Sequence, residues 1–444
     1  MSRKIIVAGA GHGGITAGKL LAEAGFDVTV YERTPSKEEM GYDWTDIFDP
    51  KALDIVGIPM PPEDKWEYKI DMTFFGPSEH VKIRQRVPND PKEMEIKMER
   101  SDIYDLLIRS AEAAGVKIVY GVNIRGPLMQ GDRVIGITTD QGDFTADMVI
   151  DACGCESPVR VNLPDYLGIQ KHPAWGEKFY VYRAFFNRAT DDEVEDKYKV
   201  MLLPEGKLGI GWIATEGDYT DLLIGRMDPF DQAEADRTAE AYREKNPQLG
   251  RELLRGGQFV EIPVRQPLSI LVADGYAAIG DSAFMTVPII GSGIGNALKN
   301  SRILADTIIR DRTESYSAET LWPYQVEYYK SMGNGIAPLA LVKLLLTRVT
   351  PEQLDYAIDE GIITWREMTI TANHTSLWKF LHFDPNLPKR GVSLVKDLDL
   401  TKKGIRVVRD VAECLAIEQM MPREYSRSAV LKWAALYDRI FTKK

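Results

Sequence analysis

The chain has 444 residues, 44% hydrophobic and 27% charged, with 55 Lys and Arg against 66 Asp and Glu, a net charge of −11. That apolar fraction excludes disorder as the main state, and the acidic balance argues against nucleic acid as a partner. Three cysteines without a CxxC pair build neither a disulfide framework nor a thiolate metal centre, so no metal is expected and the expected compartment is the cytoplasm.

The first apolar run, Ile5–Ala8, is too short for a signal segment, and no run of about 18 apolar residues follows, so membrane contact is expected to be peripheral at most. Residues 4–9 read as a buried strand, 14–25 as a helix and 26–32 as a second strand, one βαβ unit. Residues 33–65 are rich in proline and read as loop, with strands expected at 67–75 and 80–87 as a hairpin. Residues 101–114 predict an amphipathic helix, with Ser101 as N-cap and Gly115 beyond the end. Strands are expected at 116–122, 134–139 and 144–151, then a meander over 178–186, 198–203, 208–214 and 220–226. Helices follow at 231–245 and 247–255, strands at 258–263 and 276–280, and a long helix at 291–310. From about 317 onward the pattern is mostly helical, and the apolar stretch 335–348 reads as a core helix, with a lipid tunnel or membrane contact as the alternative.

Residues 9–14 read Gly-Ala-Gly-His-Gly-Gly between the first strand and the first helix. Gly9 permits the tight turn, Gly11 lets backbone approach a pyrophosphate, and Gly14 lets helix pack close on strand, with Gly13 between them. The helix then offers free N–H groups and its positive end to the anion. Glu32 ends the next strand, with 17 residues between it and Gly14, where its carboxylate can bind a ribose hydroxyl pair; Arg33 beside it belongs to the same site. His12 either touches the pyrophosphate or is a tolerated turn residue.

Two later stretches carry a resemblance. Residues 149–160 contain Asp151, Cys153, Gly154, Cys155, Ser157 and Arg160; residues 279–298 contain Gly280, Asp281, Pro288, Gly291, Gly293, Ile294 and Gly295. With the first turn, they resemble the motifs of FAD-dependent oxidoreductases of the para-hydroxybenzoate hydroxylase-like superfamily, and the last is most similar to the geranylgeranyl reductase family. The resemblance implies FAD as cofactor and a discontinuous α/β Rossmann-type FAD-binding domain at 1–65, 98–170 and 265–315. It further implies an inserted antiparallel β-sheet substrate domain at 66–97 and 171–264, with a helical C-terminal region at 316–444. It also implies Arg100 as a contact to the FAD phosphate or ribose, Val122 where adenine packs on backbone, and Gly154 in the cofactor site. The residues of the third motif agree with this. Asp281 ends a strand and can accept from a ribityl hydroxyl, Pro288 stiffens the loop, and Gly291 and Gly293 let backbone lie near a flat ring. The helix opening at Ile294 then points its N–H groups at the ring.

The chain departs from its relatives in places. Cys153-Gly154 stands where the hydroxylases carry Asp-Gly, which weakens a hydroxylase reading. Lys199–Pro204 keeps only the proline of the reductases' Tyr-x-Trp-x-Phe-Pro stretch, and the Trp-x-Trp-x-Ile-Pro motif of flavin halogenases is absent. Cys153 and Cys155 read as packing residues. In this superfamily the loop 41–46 passes near the flavin ring, so Tyr42 or Asp43 could donate a proton and Trp44 could form an aromatic wall; a purely structural loop is the alternative. Tyr180, Tyr182 and Arg183 either bind an acidic or phenolic substrate or fill a sheet face.

The expected function is an FAD-dependent reductase or dehydrogenase moving a hydride to or from a C=C or C–C bond of a small hydrophobic or aromatic substrate. Electrons would come from transiently docked NADH or NADPH or from an electron-donor protein, and a homodimer is open. A flavin monooxygenase and an FAD-fold binding protein without turnover are the competing readings.

Overall fold

The computed structural model describes residues 3–365 and 387–442. Its first layer is a six-stranded sheet in the order Val272–Ala273, Tyr276–Ala278, Met148–Asp151, Lys4–Ala8, Asp27–Tyr31, Lys117–Val119. All pairs are parallel except the outermost one at Val272–Ala273. Ile5, Ile6, Val7 and Ala8 are all buried, as expected for a parallel strand covered on both faces. Helices His12–Glu23, Arg100–Ala113 and Ile294–Arg310 pack together against this sheet. A three-stranded meander, Ile124–Gln130, Arg133–Thr139 and Gly142–Thr145, joins the same core through Val134 and Ile137.

The second layer is a seven-stranded sheet, in order Leu249–Pro263, Lys178–Arg188, Tyr219–Arg226, Gly209–Glu216, Tyr198–Leu202, Met72–Phe75 and Lys82–Gln85. Helix Gln232–Lys245 covers one face through Ala235, Ala239 and Tyr242. A small sheet of Thr45–Phe48, Ile96–Glu99 and Trp66–Tyr68 bridges the layers. The C-terminal region is helical at Ala318–Tyr328, Asn334–Leu346, Pro351–Asp359, Leu387–Lys396, Leu398–Gln419 and Arg427–Thr442. The expectation of helix over 366–386 lies outside the described residues.

Five expectations are corrected. Ser101 is not an N-cap but lies inside the helix Arg100–Ala113, which Glu99 precedes. The expected strand 144–151 is divided between Gly142–Thr145, paired with Arg133–Thr139, and Met148–Asp151 in the six-stranded sheet. Residues 247–255 belong to the strand Leu249–Pro263, which pairs along Lys178–Arg188; the helix-favouring Arg251-Glu252-Leu253-Leu254-Arg255 is overridden by that pairing. The expected strand 67–75 is two strands, Trp66–Tyr68 on Ile96–Glu99 and Met72–Phe75 in a hairpin with Lys82–Gln85. The expected loop 33–65 contains the strand Thr45–Phe48 and the short helix Lys51–Ile55. The stretch 335–348 is the helix Asn334–Leu346, buried from Ile336 to Leu341; beyond that, Lys343, Leu346 and Thr347 line a cavity.

Candidate active site

The Gly9–Gly14 turn lies on the end of the neighbouring strand at Ala152. Gly9 holds φ +84°, and a Cβ there would sit 2.8 Å from the Ala152 carbonyl oxygen; on Gly14 it would sit 2.5 Å from Ala152 Cβ. No side chain caps helix His12–Glu23 or helix Ile294–Arg310, so the first N–H groups of both stay available to a ligand. Glu32 Oε2 accepts from Ala10 N at 2.8 Å and Oε1 from Thr34 N at 3.0 Å, which fixes the carboxylate at the strand end. Val122 N donates to the Glu32 carbonyl at 2.9 Å. Gly154 N donates to Ser282 Oγ at 2.8 Å, and Thr286 Oγ1 donates to Asp281 Oδ1 at 2.5 Å. Burial pushes Asp281 above the usual carboxylate range, opposed by the Thr286 bond. Gly9, Gly11, His12, Gly13, Glu32, Arg33, Tyr42, Trp44, Arg100, Val122, Gly154, Asp281, Gly291, Gly293 and Ile294 all line this one cleft. Gly14 packs behind the turn, and Pro288 is buried without lining the cleft.

The cleft fits a dinucleotide on three observations. A Cβ on Gly9, Gly11 or Gly14 would clash with Ala152, so this backbone is kept bare. Two uncapped helix N-termini face one space. His12 Nε2 is buried without a partner in the turn itself. The imidazole stacks on Tyr104, with centroids 4.5 Å apart. Burial, reinforced by the charge of Arg100 and opposed by Asp46, lowers its pKa to about 4, so it stays neutral.

A second, mostly apolar cavity adjoins the cleft, walled by Phe74, Phe179, Val181, Val200, Trp212 and Leu223 among others. Trp44, Asp46, Ile47, Arg100, Ile262, Gly291 and Ser292 line both spaces. Arg100 is not free for a phosphate as a lone cation. It makes a two-pronged bond to Asp46, with Nε and Nη2 each 2.6 Å from an oxygen. Burial favours neutral Asp46, but the Arg100 charge and bonds outweigh it and hold the carboxyl below its usual range. The guanidinium also stacks under Tyr42 and Trp44, 5.4 and 5.3 Å from their centroids.

Among the expected chemistry-bearing residues, Trp44 lines both spaces and is only 4% exposed. Asp43 lines neither space. It is ion-paired with Arg255 and accepts from Gly256 N at 3.1 Å, which makes it a peg for the loop and not a proton donor to the site. Tyr182 faces the wrong way for a substrate contact. Strand alternation puts it with Ala184 and Phe186 against helix Gln232–Lys245, while Phe179, Val181 and Arg183 face the cavity. Arg183 is on the wall but engaged: it bonds Asp221 at 2.9 and 2.6 Å and the carbonyl and hydroxyl of Thr45 at 2.6 Å each. Cys153 and Cys155 are free thiols; burial raises both, Cys155 to about 12. Asp46, Tyr104 and Trp212 were not singled out from the sequence. Asp46 lies three residues beyond Asp43, and only the strand at Thr45–Phe48 decides which acid reaches the site.

A family model described as an NAD(P)-binding Rossmann-like domain matches residues 7–37. Digeranylgeranylglycerophospholipid reductase of Haloferax volcanii is 24% identical over 383 residues, covering 80% of this chain and 88% of its own. The enzyme of that name from Methanothrix thermoacetophila is 25% identical, covering 85% and 98%. Among solved structures, a geranylgeranyl bacteriochlorophyll reductase-like protein of Thermoplasma acidophilum superposes with a TM-score of 0.70 at 20% identity, covering 81% and 91%. A probable FAD-dependent monooxygenase of Pseudomonas aeruginosa gives 0.60 at 19% identity, covering 81% and 100%. The chain is an oxidoreductase with the Rossmann-type fold of the FAD-dependent enzymes, and its likeness to the reductases extends over most of its length.

Proposed function

We propose that the protein is an FAD-dependent reductase or dehydrogenase acting on a C=C or C–C bond of a hydrophobic or aromatic small molecule. The observation that carries this reading is the wall of seven residues shared by the dinucleotide cleft and the apolar cavity. FAD, when bound, supplies a ring that accepts or gives a hydride. In this reading the Gly9–Gly14 turn and its helix hold the pyrophosphate, Glu32 and Arg33 the adenosine ribose, and Val122 the adenine. Asp281 holds a ribityl hydroxyl, and the backbone at Gly291, Gly293 and Ile294 faces the ring, where the helix end favours negative charge. The reading also makes 1–65, 98–170 and 265–315 the cofactor domain, 66–97 with 171–264 the substrate domain, and 316–444 the helical region.

The chain's own residues then do three things. Trp44, Ile47 and Ile262 exclude water at the junction. The Asp46–Arg100 pair presents a fixed, neutralised wall there. Tyr42, over the Arg100 guanidinium, is the remaining candidate to hold a proton at its hydroxyl. NADH or NADPH would deliver electrons by transient docking, with a donor protein as the other source.

The test is an anaerobic absorbance titration with NADH and NADPH, then air. A flavin band near about 450 nm that bleaches and returns slowly in air supports the reductase. Fast return stimulated by an aromatic ligand would move the assignment to a monooxygenase, and no flavin band would overturn the cofactor.

A further inference from the structure

Helices Leu387–Lys396 and Leu398–Gln419 leave large apolar side chains in water: Val392, Val395, Leu398, Ile405 and Val408 are each 64–70% exposed. Isolated apolar residues are ordinary on a surface, but five within 17 positions on two consecutive helices are not. Along the second helix, Leu398, Lys402, Ile405 and Arg409 follow at spacings of four, three and four, which keeps them on one side. Lys396, Lys402, Arg406 and Arg409 are exposed among the apolar residues. Residues 387–410 hold seven Lys and Arg against three Asp, a net of +4 in a chain of net −11. Much of that charge is paired at the surface: Lys396 with Glu360 at 3.6 Å, Lys403 with Asp399 at 2.6 Å, and Arg406 and Arg409 with Asp410 at 3.9 and 2.7 Å. With Glu360 counted, the face keeps a net of +3.

The face is joined to the apolar cavity. Tyr356 donates to the Ser393 carbonyl at 2.8 Å, and Ser393 Oγ to Glu360 at 2.7 Å. Leu394 and Leu400 pack in one cluster with Leu354 and Ile363, which line the cavity.

We propose that this face docks on a membrane surface bearing anionic phospholipid. The apolar row enters the headgroup boundary while the cations meet phosphate. A second copy related by a twofold axis would set this net positive surface against itself, and nucleic acid would leave the apolar row in water. Docking stands apart from the FAD reading; only its consequence, that an apolar substrate can pass from the bilayer toward the Leu354 end of the cavity, rests on that reading.

The test is co-sedimentation of the full-length holoprotein with vesicles of phosphatidylcholine plus phosphatidylglycerol and with phosphatidylcholine alone. Binding is expected to the anionic vesicles and to fall as salt rises. Lys402→Glu with Arg406→Glu and Arg409→Glu should lower vesicle partition on the order of a hundredfold. Ile405→Ser with Val408→Ser should lower it at low salt as well. Flavin absorbance and Tm check that the variants are folded. No binding to anionic vesicles, or unchanged binding by both variants, would overturn the proposal. So would a dimer seen by light scattering that Ile405→Ser with Val408→Ser abolishes. Vesicle binding needs no turnover, so a failed titration with NADH leaves this result intact.

Discussion

His12 opens the first helix as a neutral, buried imidazole, and that state has a pH consequence. Its pKa is lowered to about 4 in the fold, against 6.5 unfolded, so below 6.5 the unfolded chain binds a proton that the folded one refuses. In the flavin-free protein that stability is present above about pH 6.5 and is lost as pH falls toward 4. His12→Gln should flatten the acid limb of a Tm-versus-pH curve; an unchanged limb would assign it to other groups. Gly14→Ala places a methyl 2.5 Å from Ala152 Cβ, so overpacking of about 1–3 kcal/mol is expected, with loss of flavin absorbance in the purified protein. Asp281→Ala should lower FAD occupancy, and full occupancy with unchanged activity would remove Asp281 from the site. The glycine turn was legible from the sequence because each glycine answers a separate steric demand. The choice between Asp43 and Asp46 was not, because it depends on which way a short strand presents alternate side chains.

At the scale of elements, the strand Leu249–Pro263 shows where local preference fails. Its first half is made of good helix formers, yet the chain spends them on pairing with Lys178–Arg188. The same partner strand explains Tyr182 and Arg183: adjacent residues, opposite faces, one against a helix and one on the cavity wall. The alternation was readable, but which face meets the cavity was not, since that needs the position of helix Gln232–Lys245. Helix Pro351–Asp359 was legible only as part of a helical tail. It carries a reciprocal cap, with Gln353 N donating to Thr350 Oγ1 and Thr350 N to Gln353 Oε1, both at 3.2 Å. Thr350→Ala should cost about 1 kcal/mol in urea denaturation and loosen the cavity end at Leu354.

For the whole molecule, the helical tail contributes a second pH term of opposite sign. Glu418 is buried with both carboxyl oxygens unpartnered, and burial raises its pKa from 4.5 to about 9. A folded group that keeps its proton while the unfolded one loses it stabilises below about pH 4.5, and that stability is lost as pH rises toward 9. Glu418→Gln should therefore reduce the fall in Tm between pH 5 and 9, and an equal fall in both proteins would reject the assignment. With His12 limiting the acid side, maximal stability is expected between the two limbs. The architecture as a whole was more legible than its details, because three separated motifs, two of them glycine-rich, bracket the nucleotide sheet in sequence.

That bracketing also sets an order of assembly during synthesis. The strand Lys4–Ala8 leaves the ribosome well before its neighbour Met148–Asp151, which comes about 140 residues later, with Tyr276–Ala278 later still. The helix at Ile294 that completes the cleft leaves the exit tunnel after the whole second sheet has been made. The nascent chain therefore carries the Gly9–Gly14 turn long before the cleft around it exists, and on the proposed reading cofactor capture is a late event. Stalled chains ending near residue 265 should bind no flavin, while chains carried past the helix Ile294–Arg310 and clear of the tunnel should begin to retain it.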